Sequence, residues 1–116
     1  MIFKHESDFC DWVNHNIEYT LKVHVTKIDL CLRQNFGKHL TITSGLRSVR
    51  DNQRVNGAKN SAHLKCPSAA VDLRVSHLDH NEKMFLMKRI AQIDFLHAID
   101  EGNHIHLQLL RRSIGS

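Results

Sequence analysis

The longest amphipathic pattern in the chain lies between Tyr19 and Phe36. Apolar residues recur there at intervals of four or three positions, which places them on one face of an α-helix. Gly37 follows at the position where a helix commonly ends, because glycine tolerates the left-handed backbone of a helix terminus. The pattern therefore predicts a core-packing helix over residues 19–36. Its inward positions are Leu21, Val25, Ile28, Leu32 and Phe36.

Three shorter helices are predicted from capping signals and helical spacing. The first follows Ser7 and Asp8, and the last has an Asp-x-x-Glu capping box at its start, with apolar residues inward at Leu86, Ile90 and Ile93. The predicted helices cover residues 8–17 after Ser7, 49–55 after Ser48, and 81–92 after Asp79.

Strands are predicted where apolar and polar residues alternate, because successive side chains of a strand point to opposite faces. The predicted strands cover residues 40–43, 70–75, 95–99 and 104–109. A Glu-Gly-Asn sequence between the last two predicts a hairpin, and residues 58–67 have no period and predict a loop. The chain is thus predicted to be one α+β domain over residues 1–116, with helices packed on a small, largely antiparallel sheet.

The same alternation places candidate metal ligands on one side of the sheet. Asp72 points away from the apolar face of its strand, and in the last strand His104 and His106 point away from Ile105 and its apolar neighbours. If both strands bury their apolar faces against the same helices, the carboxylate and the imidazoles emerge together. His63, nine residues before Asp72, lies in a loop that can fold over that side. Two imidazoles and a carboxylate, with a position open for water, form a standard catalytic zinc site.

Composition narrows the function classes. A net charge of +4 and a pI near 9.2 admit an anionic partner, but the basic residues form no run longer than Arg111-Arg112, so a nucleic-acid-binding arm is not expected. The three cysteines form no CxxC pair, which favours a reducing compartment. The N-terminus lacks the apolar core of a secretory signal, and no apolar run approaches the ~20 residues of a membrane span. We therefore expect cytoplasmic synthesis and no membrane partner.

Several short segments, in this order, resemble the zinc D-Ala-D-Ala carboxypeptidase and L-Ala-D-Glu endopeptidase family, which shares its fold with the hedgehog signalling domain. The resemblance spans roughly residues 19–109 and is closest in type to a phage endolysin. The chain departs from the family pattern at Leu46, Asn56 and Ser68, and has two extra residues between His63 and Asp72. The matching segments are Ser44-Gly45-Leu46-Arg47-Ser48, Asn52, Asn56-Gly57, Ser61-x-His63, Ala70-x-Asp72 and His104-x-His106.

The resemblance implies roles for seven residues. It implies that His63, Asp72 and His106 bind Zn²⁺. It also implies a general base near the last ligand, which is either His104 or Glu101. Arg47 would stabilise the oxyanion of the reaction or clamp a substrate carboxylate, and Ser61 would hydrogen-bond the substrate.

The expected function is hydrolysis of an amide bond in peptidoglycan stem peptides by a monomeric zinc peptidase, with no nucleic-acid partner. Synthesis without a signal peptide would suit a phage lysis enzyme or a virion-delivered one acting on the cell wall. The alternative is an inactive binding module of the same fold that keeps zinc. That alternative is favoured by Asn103, which stands where other members of the family have an acid. A small basic nucleic-acid-binding domain is a third reading, supported by charge alone.

Overall fold

The computed structural model describes residues 1–45 and 68–110. Within these ranges the chain forms three helices and five strands. The helices are α1 (Glu6–Val13), α2 (Tyr19–Phe36) and α3 (His80–Ala91). The strands are β1 (Ile2–Phe3), β2 (Thr41–Ser44), β3 (Ala70–Arg74), β4 (Leu96–Asp100) and β5 (His104–Leu109). The helix predicted over residues 49–55 and the loop predicted over 58–67 lie outside the described ranges.

Helices α2 and α3 confirm the predictions made from local sequence. Helix α2 has the predicted bounds, and Gly37 adopts a left-handed φ of 66° while its N–H donates to the carbonyl of Arg33 at 2.9 Å. Helix α3 begins one residue earlier than predicted. Both hydrogen bonds of its capping box are formed at 2.8 Å, between Asp79 and Glu82. Local capping chemistry therefore sets both helix termini.

Helix α1 is shifted from its predicted position. It starts at Glu6 after His5, so Ser7 and Asp8 are not its caps, and it ends at Val13 rather than at residue 17. The Asp8 carboxylate is buried and accepts a hydrogen bond from the N–H of Gly45 at 3.1 Å, so the aspartate serves a tertiary contact. After the helix, Ile17 forms an isolated parallel bridge with Ser68, and extended pairing there excludes further helix.

The strands form one sheet in the order β1-β2-β3-β5-β4. Strand β1 is parallel to β2, and the other three pairings are antiparallel. The α+β fold class, with a largely antiparallel sheet, is therefore confirmed. Strand β1 was not predicted, because a strand of two residues is too short to show alternation.

The apolar face of the sheet packs into the same core as the helices. Val71 lies opposite Leu107, and Leu73 lies opposite Ile105, so the inward residues of β3 and β5 are aligned across the ladder. All four are fully buried, and their core also includes the predicted inward residues of α2 from Leu21 to Leu32 and those of α3, Leu86 and Ile90. Ile93 is partly buried against the core, whereas Phe36, also predicted to point inward, is exposed at the end of α2. The opposite face of β3 and β5 carries mostly polar residues.

Among residues 1–45 and 68–110, none of the helices combines the length and the apolar character that crossing a bilayer requires.

Candidate metal and catalytic site

The antiparallel register of β3 and β5 brings Asp72 and His106 together. Their Cα atoms are direct partners in the ladder, on the face opposite the core. The Oδ1 atom of Asp72 lies 3.2 Å from Nδ1 of His106, and the two side chains are only 11% and 15% exposed. The structure therefore places on one face the carboxylate and the imidazole that strand alternation assigned to it.

The second ring nitrogen of His106 is also engaged. Its Nε2 atom lies 2.7 Å from Oε1 of Gln108, two residues further along the same face of β5. The hydrogen bond to the Asp72 carboxylate raises the pKa of His106 above its ordinary value of 6.5, and partial burial opposes this rise. The bond to Gln108 and the charges of Asp72 and Glu101 raise that pKa further. A proton and a metal ion thus compete for this imidazole.

Glu101 and His104 form a second pair at the turn between β4 and β5. His104 Nε2 lies 3.2 Å from Glu101 Oε1, and His104 Nδ1 lies 2.7 Å from Oδ1 of Asn103. Glu101 is 46% exposed and His104 is 35% exposed, so both are open to a substrate from solution. A carboxylate that lies this close to an imidazole forms with it a pair that can accept and return a proton.

Helix α3 braces the turn that carries this pair. Lys83 Nζ lies 2.9 Å from Oδ1 of Asp100 and 3.2 Å from the carbonyl of Gly102. The same Asp100 oxygen accepts the N–H of Gly102 at 3.0 Å, and Gly102 has a φ of 91° that an L-residue would strain to adopt. The hydrogen bond from Lys83 lowers the pKa of Asp100. The predicted hairpin is confirmed, and its turn is held by Lys83 from α3 and by Asp100 at the end of β4.

The donor atoms of Asp72, Glu101 and His104 all lie within 4.8 Å of one another, close enough to hold a metal ion. Among the described residues, this group shares Asp72 with the ligand set implied by the sequence but contains Glu101 and His104 rather than His106. His63 lies outside the described residues. Asp72 is therefore close both to His106, its ladder partner on β5, and to Glu101 and His104 at the turn. Carboxylate oxygens and imidazole nitrogens are donors that suit zinc.

The predicted site residues divide into two groups. Asp72, Glu101 and His104 are brought close together, and His106 pairs with Asp72. Arg47, Ser61 and His63 lie outside the residues that the structure describes. The contacts that sequence reasoning missed are those of Gln108 with His106 and of Asn103 with His104. The alternation along β5 placed Gln108 on the same face as the histidines, and this is the sequence signal for its contact with His106.

The segment that carries Arg47, Ser61 and His63 is flanked by residues bound to the N-terminal region. Before it, Gly45 donates to Asp8, and a Cβ at Gly45 would lie only 3.0 Å from Cδ1 of Ile17. After it, the Ser68 N–H donates to the carbonyl of Asn16 at 2.7 Å, and the Ser68 carbonyl accepts the Glu18 N–H at 2.9 Å. Ser68, which replaces a glycine of the resembled pattern, is fully buried with its hydroxyl bonded to Ala70.

The fold and this cluster define an α+β domain with a candidate metal site. The family model described as Peptidase M15 matches residues 10–108 of the chain. The chain therefore belongs to the Peptidase M15 family, a family of metallopeptidases. No curated protein matches the sequence.

Proposed function

We propose that this protein is a zinc peptidase that hydrolyses an amide bond in the stem peptides of bacterial peptidoglycan, of the D-Ala-D-Ala carboxypeptidase or L-Ala-D-Glu endopeptidase type. Family membership supports a peptidase. The observation that carries the proposal is the register that pairs Asp72 with His106 beside Glu101 and His104. The resemblance of the Ser44–Ser48 and Ser61–His63 segments to wall peptidases supports the substrate class.

In this proposal His63, Asp72 and His106 hold the metal. Asp72 and His106 turn donor atoms toward each other and are largely shielded from water, which suits ligands. Glu101 and His104 are more exposed and lie 3.2 Å from each other, which suits groups that meet the substrate. When bound, zinc acts as a Lewis acid that acidifies water and polarises the scissile carbonyl.

The proton transfers are assigned to the pair at the turn. Glu101 Oε1 and His104 Nε2 lie 3.2 Å apart, so a proton taken from the attacking water can be held between them and passed to the leaving amine. Asn103 Oδ1 accepts from His104 Nδ1 and keeps Nε2 directed at Glu101. Because Asn103 acts through His104, the lack of an acid at that position is compatible with catalysis. Arg47 and Ser61 are proposed to bind the substrate, with the Arg47 cation opposite developing or carboxylate charge.

The first experiment is metal analysis by mass spectrometry of protein purified without a metal-affinity tag. We expect about one zinc per chain in the wild type and loss of most of it in His63→Ala and His106→Ala, because each removes a ligand. His97→Ala is the matched control, since its exposed imidazole lies on β4 outside the proposed ligand set. Wild-type protein without zinc after incubation with the metal would contradict the proposal.

The second experiment measures digestion of purified peptidoglycan by Glu101→Gln, by His104→Ala and by the double variant. We expect each single substitution to lower the rate by about 10²- to 10⁴-fold with the zinc content unchanged. The double variant should lose little more, because the effects of substituting groups that act as one unit are not additive. Zinc-loaded wild type that digests no wall material would instead favour the inactive binding module.

A further inference from the structure

Gln108 lies beside the proposed metal site without a role in the reaction. Its Oε1 atom is 2.7 Å from Nε2 of His106, a short hydrogen bond between side chains two positions apart on one face of β5. A carboxamide oxygen can only accept, so the proton of this bond belongs to the imidazole Nε2.

This hydrogen bond decides which nitrogen of His106 is available to a cation. A neutral imidazole carries one proton, and if that proton is held on Nε2 then Nδ1 presents its lone pair. Nδ1 is the nitrogen that lies 3.2 Å from Oδ1 of Asp72. The lone pair and the carboxylate oxygen therefore face the same place, where one cation can bind both.

The backbone around Gln108 keeps this arrangement in place. Gln108 is paired on both sides, with Ala70 of β3 and with His97 of β4, so the Cα positions of β5 are fixed by two ladders. Ala70 is fully buried and has only a methyl side chain, so it contributes little bulk next to Gln108. Only side-chain torsions of Gln108 remain to be ordered by the bond to His106.

We propose that Gln108 is a positioning residue for the metal site, which holds His106 in the tautomer that offers Nδ1 to a zinc ion shared with Asp72. This inference rests on the proposed function and specifies how one of its ligands is prepared. Outer partners that bind the second nitrogen of a metal-ligating histidine orient the ring and raise its basicity. Their removal weakens metal binding by about 10- to 100-fold.

The test is zinc affinity, measured by competition with a chromogenic chelator on the full chain. Gln108→Leu and Gln108→Met remove the acceptor, and we expect zinc dissociation constants about 10- to 100-fold higher than in the wild type. Gln108→Glu keeps an acceptor oxygen and is expected to restore affinity to within a few-fold (roughly threefold) of the wild type. Gln34→Leu, the same change at an exposed position of α2, is the matched control and should bind zinc like the wild type.

A second measurement needs no variant. In zinc-loaded wild type, nitrogen–proton correlation spectra of the His106 ring are expected to show the proton on Nε2. A proton on Nδ1, or equal zinc affinity in wild type, Gln108→Leu and Gln108→Met, would overturn the assignment of Gln108 while leaving the peptidase proposal intact. Wild type that binds no zinc would overturn both, so the two failures are distinguishable.

Discussion

At the scale of single residues, His106 is defined by what its two ring nitrogens contact. Asp72 lies at Nδ1 and Gln108 at Nε2, so without metal the ring is held as a donor at both positions. This favours the protonated ring, and the pKa of His106 is raised accordingly, chiefly by the Asp72 hydrogen bond. The protonated ring of His106 must release a proton when it binds a metal ion.

We expect Asp72→Asn to lower the pKa of His106 in metal-free protein, because it removes both the charged acceptor and its field. The measurement is an NMR titration of the imidazole with chelator present. Glu101→Gln is the control, since the Glu101 charge is the smallest of the causes that raise this pKa, and it should lower the value by less. An equal shift in both variants would contradict the assignment to Asp72.

The raised pKa of His106 also makes the free energy of unfolding of metal-free protein depend on pH in a defined direction. A group whose pKa is raised by folding contributes its full stabilisation at pH values below its pKa in the unfolded state, which is about 6.5 for histidine. This contribution is lost as the pH rises through the pKa of the folded state. We therefore expect metal-free wild type to lose stability relative to Asp72→Asn as the pH rises over that interval. Urea unfolding of both proteins across the interval measures the difference.

At the scale of elements, interactions between near neighbours in sequence set the end of α2 and the start of α3. The Asp79–Glu82 box and the Gly37 terminus are formed as predicted, since each needs only residues within one turn. Glu82 also binds Lys38 at 2.6 Å, so the start of α3 is tied to the chain just beyond α2. Helix α1 differs because its aspartate has a partner far along the sequence.

Asp79→Ala should lower the free energy of unfolding by about 1 kcal/mol, because it removes the acceptor for the Glu82 N–H at the N-terminus of α3. Equilibrium urea unfolding is the measurement. Asn81→Ala, an exposed position in the first turn of the same helix, is the control and should change stability by less than about 0.5 kcal/mol. Equal losses in the two variants would show that the cap contributes nothing.

At the scale of the whole molecule, the N-terminal region reaches the residues on both sides of the segment 46–67. Asp8 binds Gly45, while the backbone of Asn16 and Glu18 binds Ser68. Asn16 is itself held by Asp11, whose carboxylate accepts its side-chain N–H at 3.1 Å. Contacts of α1 and of the residues that follow it thus hold the chain where it leaves β2 and where it returns toward β3.

We expect Asp8→Ala to lower the free energy of unfolding by about 1–3 kcal/mol, because it leaves the buried Gly45 N–H without this acceptor. Asp8→Asn keeps an acceptor oxygen and should lose less. Glu6→Ala removes an exposed charge from the same helix and is the control, with an expected loss below about 1 kcal/mol. A loss in Asp8→Ala no larger than in Glu6→Ala, by urea unfolding, would show that the contact is not stabilising.

Sequence by itself determined the features that depend on neighbours along the chain. The period of α2, the capping box of α3 and the alternation that turns Asp72 and His106 away from the core are all of this kind, because geometry within one element fixes them. Only the tertiary structure decided the extent of α1, the short strand β1 and the contacts of Asp8, Asn103 and Gln108. The extent of α1, the pairing of β1 and the contact of Asp8 depend on partners distant in sequence. The contacts of Asn103 and Gln108 join near neighbours in sequence, but they depend on side-chain torsions, which the alternation of apolar and polar residues does not encode.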